Sequence, residues 1–250
     1  MAEIIGSKIL KLVKLDSTNN YATANALKNN WPEGAVVLAE EQLSGRGQRN
    51  NKWESEAGQN LLLSLVLYPR FLPVQFQFLL SKVIALGVAD VVQLFAEEVR
   101  IKWPNDIYVG DKKVAGILIE TSITGHELGS CVAGIGLNVN QLVFKSDAPN
   151  PVSLAQLCGK KLKRDEVFKL LTEAIDQWYG ALCRADTGSI DQHYIERLYR
   201  YGFAAMYRDK NGFFQGTITG LNEIGQLQIE DESGHLRTYH FKEVEFLASS

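Results

Sequence analysis

Along the first forty residues the period of the apolar positions changes twice. Residues 8–15, KILKLVKL, alternate in the manner of a strand, and Asp16 or Ser17 then offers a side-chain oxygen to cap a helix through about Lys28. AVVLAEEQ (35–42) predicts a second strand. The following stretch carries glycines, arginines and no apolar period until NLLLSLVLYP, which predicts a long loop of the functional kind. Beyond Pro73, apolar residues from Val74 to Phe95 fall on nearly every face, as a core helix buried on several sides requires. VRIKWPNDIYV breaks at Trp103-Pro104-Asn105-Asp106. Gly110-Asp111 then turns the chain into KVAGILIET, apolar on both faces, so consecutive strands of one sheet are expected. After SCVAGIGLNVN (130–140) come a Pro-flanked loop and a helix from Asp165 to about Leu182, with Val167, Leu171, Ala174, Trp178 and Ala181 marking one face. From about Gly202 the texture is short alternating strands, with turns at Asn211-Gly212, Asn222 to Gly225 and Glu232 to Gly234. A small all-β barrel fits there. No flexible linker precedes it, so it should pack directly on the rest.

Composition narrows the function classes. The 250 residues are 46% hydrophobic and 22% charged, an ordinary globular balance and enough for one or two domains. A net charge of −3 has the wrong sign for a chain whose main business is gripping phosphate backbones, so any anion site must be local. Cys131, Cys158 and Cys183 are odd in number and not in C-x-x-C pairs. They read as reduced, mostly buried thiols of a cytosolic protein. The N-terminus has no long apolar h-region, and Phe71 to Phe95 is interrupted by Gln75, Gln77, Lys82, Asp90 and Gln93, too polar for a bilayer. His126, His193, His235 and His240 lack metal-ligand spacing, and Glu54, Glu56 and Glu97-Glu98 read as solvated faces. No G-x-S-x-G elbow and no cysteine in an electropositive neighbourhood offers an acyl-enzyme nucleophile.

Gly45-Arg46-Gly47 combines conformational freedom with a guanidinium, which suits wrapping an anion. It fails the Walker A and dinucleotide patterns, and taken alone a flexible surface loop is the better explanation. Lys102 at a strand end, with Asn105-Asp106 just beyond, gathers a cation, an amide and a carboxylate where ligands meet an α/β sheet. Lys113, on the neighbouring strand of the hairpin, would lie close to Lys102 across the ladder. Two converging lysines need an anion between them, or else both point to solvent.

Taken in order, DSTNNYA (16–22), AEEQLSGRGQRNNKW (39–53), IKWPNDIYV (101–109), KKVAGILIE (112–120) and GIGLNVN (134–140) resemble the biotin protein ligase family. The likeness spans about residues 10–250 and includes a small C-terminal barrel ending in KEVEFL. Its implied reaction has two steps: biotin's carboxylate attacks the α-phosphate of ATP, and a carrier-domain lysine then attacks the resulting biotinoyl-AMP. By resemblance, Ser17, Thr18, Asn19 and Gln42 hydrogen-bond biotin. Gly45, Arg46, Gly47 and Gln48 form the loop over carboxylate and phosphate, and Lys113 binds the activated group beside Gly116. Trp53 covers adenine. Lys102, Asn105, Asp106 and Asn138 sit on the nucleotide side, Asp106 touching Mg²⁺, and Arg46, Lys102 and Lys113 carry the chemistry. Two departures stand out: Gln48 where the family has a basic residue, and Asn50-Asn51 where it has Gly-Arg.

The expected fold is α/β (α+β): a mixed-sheet, biotin/lipoate-ligase-like catalytic domain (1–200) followed by an SH3-like barrel (201–250). The expected activity is ATP-dependent biotin ligation to a biotin carboxyl carrier domain, with ATP and Mg²⁺ and no tightly bound prosthetic group, in the cytoplasm. No membrane and no specific DNA are implied, and a homodimer is left open. A lipoate or octanoate ligase or transferase of similar fold is the rival enzyme, opposed by KWPND and the GRG loop. A biotin-responsive repressor is the rival without enzymatic function, opposed by the lack of room for a helix-turn-helix before Asp16.

Overall fold

The computed structural model describes residues 4–47, 51–125, 127–146 and 150–247; Gln48, Asn50 and His126 lie outside them. Strands β1 (Ile9–Leu15), β2 (Ala35–Gln42), β3 (Leu61–Leu67), β4 (Val99–Lys102), β5 (Asp106–Val109), β6 (Lys112–Thr124) and β7 (Glu127–Leu137) form one mixed sheet. Its order is β1-β2-β3-β7-β6-β5-β4. Only β1 and β2 are parallel, joined by helix α1 (Thr18–Asn25); the other neighbours are antiparallel. α1 ends earlier than the sequence predicts. Asn25 and Asn29 turn their amides back onto the carbonyls of Tyr21 and Asn25, the competition with backbone bonding that weakens asparagine in helices.

Strand alternation sorts the sheet's two faces. Leu61, Leu63, Leu65 and Leu67 of β3, with Cys131, Ala133, Ile135 and Leu137 of β7, enter the main core under helices α2 (Phe78–Gln93) and α4 (Arg164–Cys183). On the other face Val66 and Val132 pack with Ala22, Ala26 and Trp31. Positions of that second parity left uncovered by α1 carry Ser64, Gly134 and Gly136, and there the cavity lies. The stretch Val74–Gln93 is apolar and long enough to cross a membrane, and here it is the core helix, preceded by a 3₁₀ turn at Val74–Phe76. Gly87 lets it approach α4, since a Cβ there would stand 2.6 Å from Ile175 Cγ1. α4 buries Val167, Phe168, Leu171, Ile175, Tyr179, Ala181 and Leu182, so Val167, Leu171 and Ala181 of the predicted face are buried and Phe168, Ile175, Tyr179 and Leu182 widen it. Ala174 and Trp178 are only half-buried, and the Trp178 indole donates to Asp90 at 2.6 Å. The short helices α3 (Leu154–Cys158) and α5 (Thr187–Glu196) show no legible period.

Strands β8 (Ala204–Asp209), β9 (Gly212–Leu221), β10 (Leu227–Asp231), β11 (Leu236–Tyr239) and β12 (Glu245–Phe246) form a second, antiparallel sheet. Its order, β11-β10-β9-β8-β12, does not close through the backbone among the described residues. Side chains close it instead: Arg237 and Tyr239 of β11 reach Asp209 of β8 at 3.3 and 2.8 Å. The sheet sits on the first unit at Trp103, which donates to the Gly225 carbonyl at 3.0 Å and packs on Phe241. Of the cysteines only Cys131 is buried; Cys158 is half-buried and Cys183 exposed, contrary to the expected burial.

Candidate active site

β1 and β2 run parallel, so both end at the same edge, and the N-terminus of α1 starts there. Ser17 caps α1, and Thr18 donates from its backbone nitrogen to Gln42 Oε1 at 2.7 Å, tying the helix start to the end of β2. Asn19 Oδ1 lies 2.6 Å from Ser64 Oγ, which is also 2.7 Å from Thr18 Oγ1. Ser17, Thr18, Asn19 and Ser64 are all buried, yet each has a polar partner, so they form a fixed polar wall. Ser64, the lone polar residue within LLLSLVL, is a site neighbour that strand parity makes legible.

The floor is made of glycine. Gly116 on β6 opposes Gly136 on β7, and the Trp53 indole lies on them so closely that a Cβ on Gly136 would stand 2.4 Å from Trp53 Cε2. A Cβ on Gly134 would stand 2.2 Å from Asn19 Oδ1. No side chain fits at these positions. Opposite the polar wall, Lys113 Nζ pairs with Asp106 Oδ2 at 2.7 Å and lies 5.7 Å from the Trp53 ring. These groups surround one cavity of about 590 Å³, also lined by Arg46, Gly47, Asn138, Phe144, Ser146, Pro151 and Lys242. Two buried polar atoms have no hydrogen-bond partner among the described residues there, Trp53 Nε1 and Asn138 Oδ1.

Three candidate residues stand outside the cavity lining. Lys102 is two strands from Lys113, not adjacent, because β5 lies between β4 and β6. Its Nζ is enclosed by the rings of Tyr108, Tyr199 and Phe246 at 4.9, 5.9 and 5.3 Å, and burial holds its pKa below the usual lysine value. Asn105 is buried with its amide on the Ile117 carbonyl, bracing β6 from below. Gly45 supports the loop from behind: its carbonyl accepts from Trp53 N at 2.9 Å.

The described residues of the long loop make specific backbone contacts. Arg46 and Lys52 pair through their backbones in an isolated antiparallel bridge, and Gly47 N donates to Asn51 O at 2.7 Å. Glu54, read from sequence as solvated, accepts from the backbone nitrogens of Lys145 and Ser146 at 2.8 and 2.7 Å. Burial alone would raise its pKa, but bonds from the Ser146 side chain and these amides outweigh it and hold the carboxyl low. Glu54, Ser146, Phe144 and Lys242 carried no motif. They meet only because the chain returns three times to the same cleft.

Residues 12–138 match the family described as "Biotin/lipoate A/B protein ligase family". The chain belongs to that family. It is 31% identical over 243 residues to the bifunctional ligase/repressor BirA of Bacillus subtilis, covering 95% of this chain and 74% of the relative. It is 32% identical to a biotin--[acetyl-CoA-carboxylase] ligase of Paracoccus denitrificans, covering 89% and 94%. Among solved structures, a biotin protein ligase from Aquifex aeolicus in complex with biotin and ATP superposes with a TM-score of 0.80 at 26% identity, covering 97% of this chain and 100% of that one.

Proposed function

We infer that this family member is an ATP-dependent biotin protein ligase, which activates biotin as biotinoyl-5'-AMP and transfers it to a lysine of a biotin carboxyl carrier domain. The observation that carries the reading is a cavity in which a buried polar wall and the Lys113–Asp106 pair meet over a glycine floor. Its support is the likeness to a ligase described with biotin and ATP. In the first step a biotin carboxylate oxygen attacks the α-phosphorus and pyrophosphate leaves. In the second, a lysine amine attacks the acyl carbon, AMP leaves and the amine loses its proton.

Both attacking partners of the first step are anions, so the site must lower their repulsion and exclude water. Lys113 and Arg46 supply positive charge at the cavity wall, and Ser17, Thr18, Asn19 and Gln42 offer hydrogen bonds to the polar head of the acid. Asn138 Oδ1, without a partner among the described residues, suits an N–H donor of the nucleotide, and Trp53 offers a ring for the base. Mg²⁺ fits as an ion carried in by ATP. Asp106 lies in the cavity, no group of three His, Cys, Asp or Glu side chains able to hold a metal occurs among the described residues, and Mg²⁺ takes few protein carboxylates beside phosphate oxygens and water. Cys131, Cys158 and Cys183 form no disulfide, and a cytoplasmic setting is part of the proposal.

Incubation with biotin, Mg-ATP and a carrier domain should release pyrophosphate and add biotin to one lysine. Pyrophosphate release that requires lipoate and ignores biotin would overturn the reading.

A further inference from the structure

Arg46 is anchored outward from the cavity as well as lining it. Its Nη2 pairs with Glu120 Oε1 at 2.8 Å and its Nη1 donates to Asn20 Oδ1 at 2.5 Å. Glu120 shares the β6 face of Gly116, so the alternation that makes the floor also brings this carboxylate to the cleft. Its other oxygen, Oε2, accepts from Asn19 Nδ2 at 2.9 Å. One carboxylate therefore holds the glycine-rich loop on one side and the polar wall on the other. From Asn19 the contacts continue through Ser64 and Thr18 to Gln42.

The ion pair is partly solvated, with side chains 44% and 34% exposed, so its contribution to stability is small. Its geometry matters more. A guanidinium has five N–H donors in a rigid fork, more than the two outward contacts use, and fixing two of them fixes the plane of the rest.

We propose that Glu120 is a positioning residue for the adenylate: it orients Arg46 over the cavity and couples the loop to the Asn19 amide of the polar wall. This rests on the biotin ligase reading. An enzyme without the Glu120 carboxylate forms biotinoyl-AMP but holds it less firmly, because Arg46 is no longer directed at the bound anion.

The test measures escape of biotinoyl-AMP, added preformed so that no variant has to synthesise it, by stopped-flow fluorescence in the full chain. Glu120→Ala should speed dissociation about tenfold with an unchanged melting temperature. In an Arg46→Ala background the same substitution should add less than about twofold, since a residue acting through Arg46 has nothing left to position. If Glu120→Ala melts early, the near-isosteric Glu120→Gln carries the measurement. A wild-type off-rate, or an effect undiminished without Arg46, overturns the proposal while leaving the ligase reading intact. Failure of the unaltered enzyme to form biotinoyl-AMP overturns the ligase reading, and this inference with it.

Discussion

Lys113 illustrates how one residue's role depends on its neighbours. Its side chain is 24% exposed and its amine is paired with Asp106, inside a cavity walled by Trp53 and the glycine floor. A charged hydrogen bond in such a site contributes about 1.5–3 kcal/mol, so Lys113→Ala should lower adenylation roughly ten- to hundredfold, read as pyrophosphate release. Wild-type adenylation in that variant would remove Lys113 from the site. Gln48 lies outside the described residues, and its argument is chemical: a neutral amide stands where the family resemblance implies a base. Charge-assisted bonds are roughly twice as strong as neutral ones, so Gln48→Arg should slow biotinoyl-AMP escape by about tenfold. An equal or faster off-rate in the arginine variant would show that other groups already hold the phosphate.

At the scale of elements, the second sheet depends on charge for its closure. Arg237 of β11 pairs with Asp231 of β10 at 2.8 Å and reaches Asp209 of β8, while its guanidinium stacks 4.2 Å from the Phe214 ring. Bonds from Ser233 and Arg237 hold the Asp231 carboxyl far below its ordinary range. For Asp209 burial pushes upward, but Asn211, Tyr239 and Arg237 outweigh it and the carboxyl is again low. Both groups have a lower pKa folded than unfolded, so the folded state binds fewer protons. Their stabilisation is complete above the ordinary aspartate value of about 4 and is lost as pH falls through the depressed folded values. Arg237→Ala should therefore raise the midpoint of acid unfolding, followed by circular dichroism. An unmoved midpoint would mean that the hydrogen bonds of Asn211, Ser233 and Tyr239 suffice.

For the whole molecule, two ligands meet in one cavity between polar wall, floor and loop, so occupancy should stabilise the fold. With biotin alone at about a hundred times its dissociation constant, linkage gives about 2.7 kcal/mol, and the melting temperature should rise by roughly 5–10 °C. Differential scanning fluorimetry reads this directly. A rise with lipoate and none with biotin would place the chain with the lipoate branch of its family.

Much of this organisation was legible in the chain itself. The strands at 9–15, 35–42 and 61–67, the core helix after Pro73 and the turns of the second sheet follow from local period and turn chemistry, which act between residues near in sequence. The candidate site residues Ser17 to Asn19, Gln42, Arg46, Lys113 and Gly116 stood in recognisable segments because their spacing within each segment is short. Strand order and the outcome for KWPND were not legible. Insertion of β7 between β3 and β6 brings Gly136 beside Gly116, a contact across twenty positions that no local period encodes. Insertion of β5 beside β4 turns Lys102 away from the cavity lining and into an aromatic cage, although its sequence position matches a ligand-binding one. Glu120 closes a recognised segment but its partners do not show there, and Ser146 and Lys242 are unremarkable in sequence for the same reason. A charge gains a partner only when folding places another group within a few ångströms, and that distance is set by the packing of sheets and helices, not by the neighbours along the chain.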